Sequence, residues 1–143
     1  MNIVFFLIPK NQLSYIYDTF SVRQGLEKCR ATGYTAVPVV SKETGEYLGT
    51  VSEGDFLWEI VDNRDVSRLK DLEDIPLMNI VKADKYPSVK IDAKIDDLLT
   101  QIMAQNFVPI VDDRGVFMGI ITRRRVIEYY YNKERCKEDK QQG

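Results

Sequence analysis

Apolar residues recur at helical spacing in two places. Val22, Leu26 and Cys29 lie at i, i+4 and i+7; Ile95, Leu99 and Ile102 repeat that spacing, with Leu98 beside them. Each stretch predicts an amphipathic helix. A short apolar strand follows each one, at 36–40 and at 108–111. Next comes a polar turn containing glycine, at 41–46 or 112–115, as expected between neighbouring strands. A second strand is predicted at 47–51 or 116–121, and a second helix at 54–61 or 123–131. The segments near 15–17 and 88–91 add one strand to each unit. The pattern reads β-α-β-β-α, twice.

The letters repeat as well as the pattern. Met1-Asn2-Ile3-Val4 returns as Met78-Asn79-Ile80-Val81, an offset of 77. Ala36-Val37-Pro38-Val39-Val40 is echoed by Phe107-Val108-Pro109-Ile110-Val111 at 71, and Leu48-Gly49-Thr50-Val51-Ser52 by Met118-Gly119-Ile120-Ile121-Thr122 at 70. Three ordered echoes at nearly constant offset indicate an internal repeat. The units are set at 1–61 and 78–131, with a connector at 62–77 and a tail at 132–143. Within the connector, eight of the thirteen residues from 62 to 74 are charged, which predicts a solvated or partly helical link. A unit of about sixty residues buries little core alone, so the two are expected to pack sheet against sheet. From Asn132 onward the chain carries no aliphatic or aromatic residue, which predicts a frayed helix end or a disordered tail.

Composition narrows the chemistry. Hydrophobic residues are 44% and charged residues 29%, the balance of a soluble globular domain. A net charge of -2 draws the chain to neither nucleic acid nor an anionic membrane. There is no histidine, which removes imidazole acid–base chemistry, histidine metal sites and histidine-based triads. Cys29 and Cys136 form no CxxC pattern; one bridge between them stays open, but two unclustered cysteines fit a reducing cytosol better. The longest apolar run is the six residues from Ile3 to Ile8, far short of the ~20 needed to cross a bilayer. Phosphate-loop, dinucleotide and metalloprotease motifs do not occur. No enzyme, metal or catalytic cofactor is expected.

The phrases Tyr34-Thr35-Ala36-Val37-Pro38 and Gly49-Thr50-Val51-Ser52-Glu53-Gly54-Asp55, with their partners Phe107-Val108-Pro109 and Gly119-Ile120-Ile121-Thr122-Arg123-Arg124, resemble a CBS-domain pair, the Bateman module. The resemblance covers roughly residues 1–131 and is similar to bacterial stand-alone members that bind AMP or cyclic di-AMP. It implies a mixed α+β fold of tandem CBS repeats with pseudo-twofold symmetry. It implies a cytoplasmic, homodimeric sensor of an adenine nucleotide that acts on an unknown target protein through ligand-dependent contacts. A ligand-independent interaction module is the alternative.

By the family's rule, a first cleft would join Ser14, Tyr34, Thr35, Ala36, Val37 and Pro38 to Thr122, Arg123, Arg124 and Arg125. A second would join Lys82, Ala83, Asp84, Val108 and Pro109 to Ser52 and Asp55. Local physics leaves alternatives open at both. Ser52 and Asp55 have the spacing of a helix-capping pair, and equally of a hydroxyl and a carboxylate awaiting phosphate and ribose. In the second copy Arg125 stands where the first has Asp55, which weakens ribose recognition there. Three arginines in the first turn of a helix oppose its dipole by roughly 0.3–1 kcal/mol each. Solvation, a nearby carboxylate or a bound anion would offset that, and only one or two side chains could reach one ligand. Thr35 and Ala36 precede a proline and are biased to extended backbone, able to read an adenine edge. Tyr34 is placed in the core ahead of a stacking role. Pro38 and Pro109 are expected at sheet edges or strand starts, and Gly49 and Gly119 at close backbone approaches. Phe56, Trp58, Tyr129 and Tyr130 are read as packing or dimer residues.

Overall fold

The computed structural model describes the backbone of residues 2–142 and the side chains of 2–136. Each half holds a helix, a strand pair and a closing helix: α1 (Val22–Thr32), β3 (Ala36–Val40), β4 (Tyr47–Ser52) and α2 (Glu53–Asp62), then α3 (Ile95–Ala104), β6 (Phe107–Val111), β7 (Phe117–Thr122) and α4 (Arg123–Gln142). Two-residue strands precede the first helix of each half: β1 (Ile8–Pro9) and β2 (Ile16–Tyr17) before α1, and β5 (Val89–Lys90) before α3. α1, α2 and α4 begin where the sequence supplies side-chain caps; α3 does not. Ser21 and Gln24 form a reciprocal box on α1, and Ser52 and Asp55 form one on α2. Gly33, at φ 70°, ends α1.

The strands form two sheets, ordered β2-β3-β4 and β1-β7-β6-β5. Their hairpin ends meet across a local twofold axis. The Tyr47 N–H donates to the Gly115 carbonyl at 3.0 Å, and the Phe117 N–H donates to the Gly45 carbonyl at 2.9 Å. Glu46 and Val116 face each other between them. Swapping the halves exchanges the two bonds, and the Tyr47 and Phe117 rings stack over the axis at 6.2 Å.

The leading segments change places. Ile3 and Phe6 lie in the second core, with Val89, Leu98, Ile102, Val108, Ile110, Ile121 and Val126. Leu77 and Ile80 lie in the first, with Ile16, Val22, Val37, Val51 and Phe56. β1 pairs with β7 through Ile8 opposite Ile120, while Lys82 bridges to Thr50. These bridges need close backbone approach. A Cβ on Gly49, at φ 152°, would come within 2.7 Å of Val81, and one on Gly119, at φ 153°, would fall onto the Ile8 carbonyl. Residues 3–9 therefore complete the half opposite to the one their position in the chain predicted. Hydrophobic spacing marks which side chains are buried, not which core receives them.

The bridges also correct the earliest echo. Ile8 and Lys82 hold matching places, so the leading segments correspond at an offset of 74, not 77. The buried pair Ile3 and Phe6 answers to Leu77 and Ile80; Met1 lies outside the described residues. What repeats is the spacing of buried positions on a short 3-10 turn, not the letters.

Pro38 and Pro109 lie on the central strands of their sheets rather than at edges. Neither needs a ladder bond there, because β2 pairs only with Val39 and Val40, and β5 only with Ile110 and Val111. Within the connector, Leu72 is fully buried against α1 on a 3-10 turn. At the other end α4 continues to Gln142.

Candidate functional site

A cavity of about 480 Å³ opens between the halves. Ser14, Gly33, Tyr34, Thr35, Ala36 and Pro38 line one side, and Asn106, Phe107, Ile120 and Thr122 the other; Ile8, Gln12 and Leu13 close it. Six residues expected in the first cleft are brought together here: Ser14, Tyr34, Thr35, Ala36, Pro38 and Thr122.

Its polar equipment follows from the strand geometry. The Val40 carbonyl accepts from the Asp18 N–H on the β2 side of β3. Backbone groups alternate along a strand, so those of Ala36 face the same side. There β2 has already ended, which leaves the Ala36 N–H and C=O bare at the cavity wall. Isoleucine, leucine, proline and phenylalanine side chains supply the apolar remainder, and the hydroxyls of Ser14 and Thr122 and the amides of Gln12 and Asn106 stand at its border.

Four expected residues are elsewhere. Val37 is 0% exposed in the first core, because its side chain points to the opposite face from Ala36. The three arginines diverge. Arg123 turns back to donate to the Ile102 carbonyl at 2.9 Å and the Met103 carbonyl at 3.4 Å. These carbonyls belong to the end of α3, where a cation is favourable. Arg124 pairs with Glu128 at 3.0 Å and borders an adjoining hollow that shares Asn106 and Thr122 with the cleft. Arg125 faces Phe5, Phe6 and Tyr129 on another surface. The conflict with the α4 dipole is thus offset by neighbouring protein groups at Arg123 and Arg124. Tyr34 is 44% exposed at the cleft rather than in the core.

The second junction is built differently. Asp55 Oδ2 accepts from the Ser52 N–H at 2.8 Å and from the Ser52 hydroxyl at 3.0 Å. Its other oxygen, Oδ1, lies 3.7 Å from both Lys82 Nζ and Lys85 Nζ. Lys85 also donates to Ser52 Oγ at 2.9 Å. The Asp55 side chain is 3% exposed, and its capping and ion-pair contacts use both oxygens. Tyr86 stacks on Phe107 with ring centroids 4.9 Å apart and planes 17° from parallel. Gln105 donates to the carbonyls of Pro87 and Phe107 at 3.2 and 2.9 Å. Tyr47 donates its hydroxyl to the Tyr86 carbonyl at 2.7 Å.

Of the residues expected there, Ser52, Asp55 and Lys82 meet. Ala83 packs beneath Gly49, Asp84 is exposed, and Val108 and Pro109 are buried in the second half. A hollow of about 450 Å³ does reach Asp55, but from the outer side, past Trp58, Glu59, Asp62, Asn79, Ile80 and Lys82. Lys85, Tyr86, Gln105 and Phe107 were not anticipated. Only Phe107 had a signal, in the echo itself, where it stands in the place of Ala36.

Among the described residues, no group of histidine, cysteine, aspartate and glutamate could hold a metal ion, and no helix is long and apolar enough to cross a membrane. Burial, with Glu53 adding to it, raises the Cys29 thiol to about 11.

The model of the CBS domain matches residues 8–62 and 73–132. An uncharacterized protein of Methanocaldococcus jannaschii, MJ1426, is 26% identical over 140 residues, covering 79% of this chain and 83% of its own. A CBS domain protein from Streptococcus pneumoniae TIGR4 is similar at TM-score 0.81 and 26% identity, over 90% of this chain and 86% of that one. CbpB in complex with c-di-AMP is similar at TM-score 0.88 and 21% identity, over 98% and 91%. CBSX2 in complex with AMP is similar at 0.73 and 21%, over 93% and 98%.

Proposed function

The chain belongs to the CBS-domain family, and from that premise we propose that it is a regulatory sensor that takes one adenine nucleotide, AMP, ATP or c-di-AMP, in the cleft between its halves. The observation that carries this reading is the bare backbone of Ala36 at the wall of a largely apolar cavity. A purine ring needs flat apolar walls and a donor–acceptor pair along one edge, and a cavity of roughly 300–1,000 Å³ is the size that small ligands fill. The base lies against Pro38, Leu13 and Ile120, its edge on Ala36. The sugar passes Ser14, Asn106 and Thr122, and the phosphate leaves toward Arg124 and the first free N–H groups of α4. Structures of CbpB with c-di-AMP and of CBSX2 with AMP support the ligand class.

Binding joins groups from both halves, so it favours the arrangement in which they are closest and shifts the population toward it. The output is a surface read by another protein. Leu57, Trp58 and Val61 on α2 and Ile127 and Tyr131 on α4 are exposed, and they supply the apolar face through which the chain pairs with a second copy. Calorimetric titration with AMP, ATP and c-di-AMP tests the reading. Binding of one of them, with a rise in Tm, is the expected result; no heat and no shift with all three leaves a ligand-independent interaction module.

A further inference from the structure

Building on the nucleotide reading of the first cleft, we infer that the second cleft is a self-occupied site, closed by the chain's own segment 82–88, so that each chain takes a single nucleotide. The two clefts are related by the local twofold axis. The Ile8 and Lys82 bridges make 82–88 the counterpart of the segment that runs from Ile8 to Ser14. In the first cleft that segment stands back and leaves space in front of Ala36. In the second, Phe107 replaces Ala36, and its ring is covered by Tyr86 at stacking distance. Two aromatic rings fill the place that a flat base would need.

The segment is pinned at four points. Lys85 donates to Ser52 Oγ and faces Asp55, Lys82 reaches the same carboxylate, Gln105 holds the Pro87 carbonyl, and Tyr47 holds that of Tyr86. A ligand entering here would have to break the ring stack and displace an ammonium from a carboxylate that is almost wholly buried. Pairing with the lysines gives that carboxylate in advance the charge compensation a buried group requires. Asp55, the residue most like a ribose acceptor by sequence, therefore serves closure and not recognition.

Titration with AMP, with hydrogen exchange on the same samples, tests the inference. Wild type is expected to bind one AMP per chain and to gain protection at residues 12–14 and 33–36 without change at 82–88. Ala36→Phe, which gives the first cleft the ring of the second, is expected to lose binding at least 100-fold. Adding Tyr86→Gln and Phe107→Ala to Ala36→Phe is expected to restore one AMP per chain, with protection moved to 82–88. Two AMP per wild-type chain, or protection of 82–88 in wild type, overturns the inference even if the triple variant fails to fold. So does a folded triple variant that binds nothing. If wild type takes no AMP, the titration is repeated with ATP and c-di-AMP; binding of none of the three ends the proposed use of the first cleft, and the triple variant decides closure alone.

Discussion

The first cleft has the space but not the carboxylate; the second junction has the carboxylate, but its room between the halves is filled and the hollow that reaches Asp55 runs past Trp58 and Glu59 instead. In the first, Arg125 follows the capping Thr122 at the position that Asp55 holds after Ser52, yet a cavity of about 480 Å³ stands open beside Thr122. In the second, Ser52 and Asp55 match the binding pattern letter for letter, and lysines and a ring stack occupy the room. A motif states which groups could bind. Whether they do depends on the segment packed in front of them, here Ile8–Ser14 against 82–88.

The sharpest way to break the comparison is to exchange the residue on which it turns. Ala36→Phe is expected to weaken nucleotide binding about 100-fold, roughly 2.7 kcal/mol, while circular dichroism and the unfolding midpoint without ligand stay close to wild type. An affinity within threefold of wild type would remove the first cleft from the mechanism.

Asp55→Ala comes next, and the two readings of Ser52 and Asp55 diverge there. The Asp55 half of the capping box is lost and the Ser52 N–H loses its acceptor, and Lys82 and Lys85 lose their buried partner, so the urea midpoint is expected to fall. AMP affinity is expected to hold within twofold, because Asp55 does not line the first cleft. A large drop in affinity with unchanged stability would return Asp55 to the ligand.

A smaller effect separates the arginines. Arg124→Ala is expected to weaken AMP about fivefold and leave adenosine unaffected, as suits one solvent-exposed charge near a phosphate; Arg124 is 88% exposed. Arg123→Ala is expected to lower stability by about 1 kcal/mol, because it removes the cation that closes the end of α3, with little effect on adenosine. Equal loss of AMP binding in both variants would mean that the two guanidiniums share the ligand.

Much of this was legible in the chain. The spacing of Val22, Leu26 and Cys29, and of Ile95, Leu99 and Ile102, marks the helices because a buried face repeats every three to four residues. The echoes at 70 and 71 locate the hairpins because paired strands tolerate few insertions. The exchange of Ile3–Pro9 and 77–83 between cores was not legible, since an apolar turn fits either core and only the bridges at Gly119 and Thr50 decide. The divergence of Arg123, Arg124 and Arg125 was legible only as a limit, through the 100° between successive helix residues. Closure by Tyr86 and Lys85 depends on a loop path that no periodicity encodes. Ser14, Thr35 and Ala36 were placed by the resemblance, with the extended backbone ahead of Pro38 supporting the last two; Gln12 and Asn106 lie on turns and were not.

The smallest effect contrasts the two cores. Cys29 on α1 lies buried in the first, where Ile102 on α3 fills the second. Burial raises the Cys29 thiol to about 11 from its ordinary 9.0, with Glu53 adding to the rise. The folded protein therefore holds this proton through a range in which the unfolded chain releases it. The stabilisation is complete below about pH 9 and is lost as pH rises through about 11. Thiol alkylation at pH 8 is expected to modify Cys136, which is exposed, within minutes, and Cys29 only in denaturant. Cys29→Val is expected to flatten the fall of the unfolding midpoint between pH 9 and 11. If the two proteins fall equally over that interval, some other group sets the alkaline limit and the first core is no more pH-sensitive than the second.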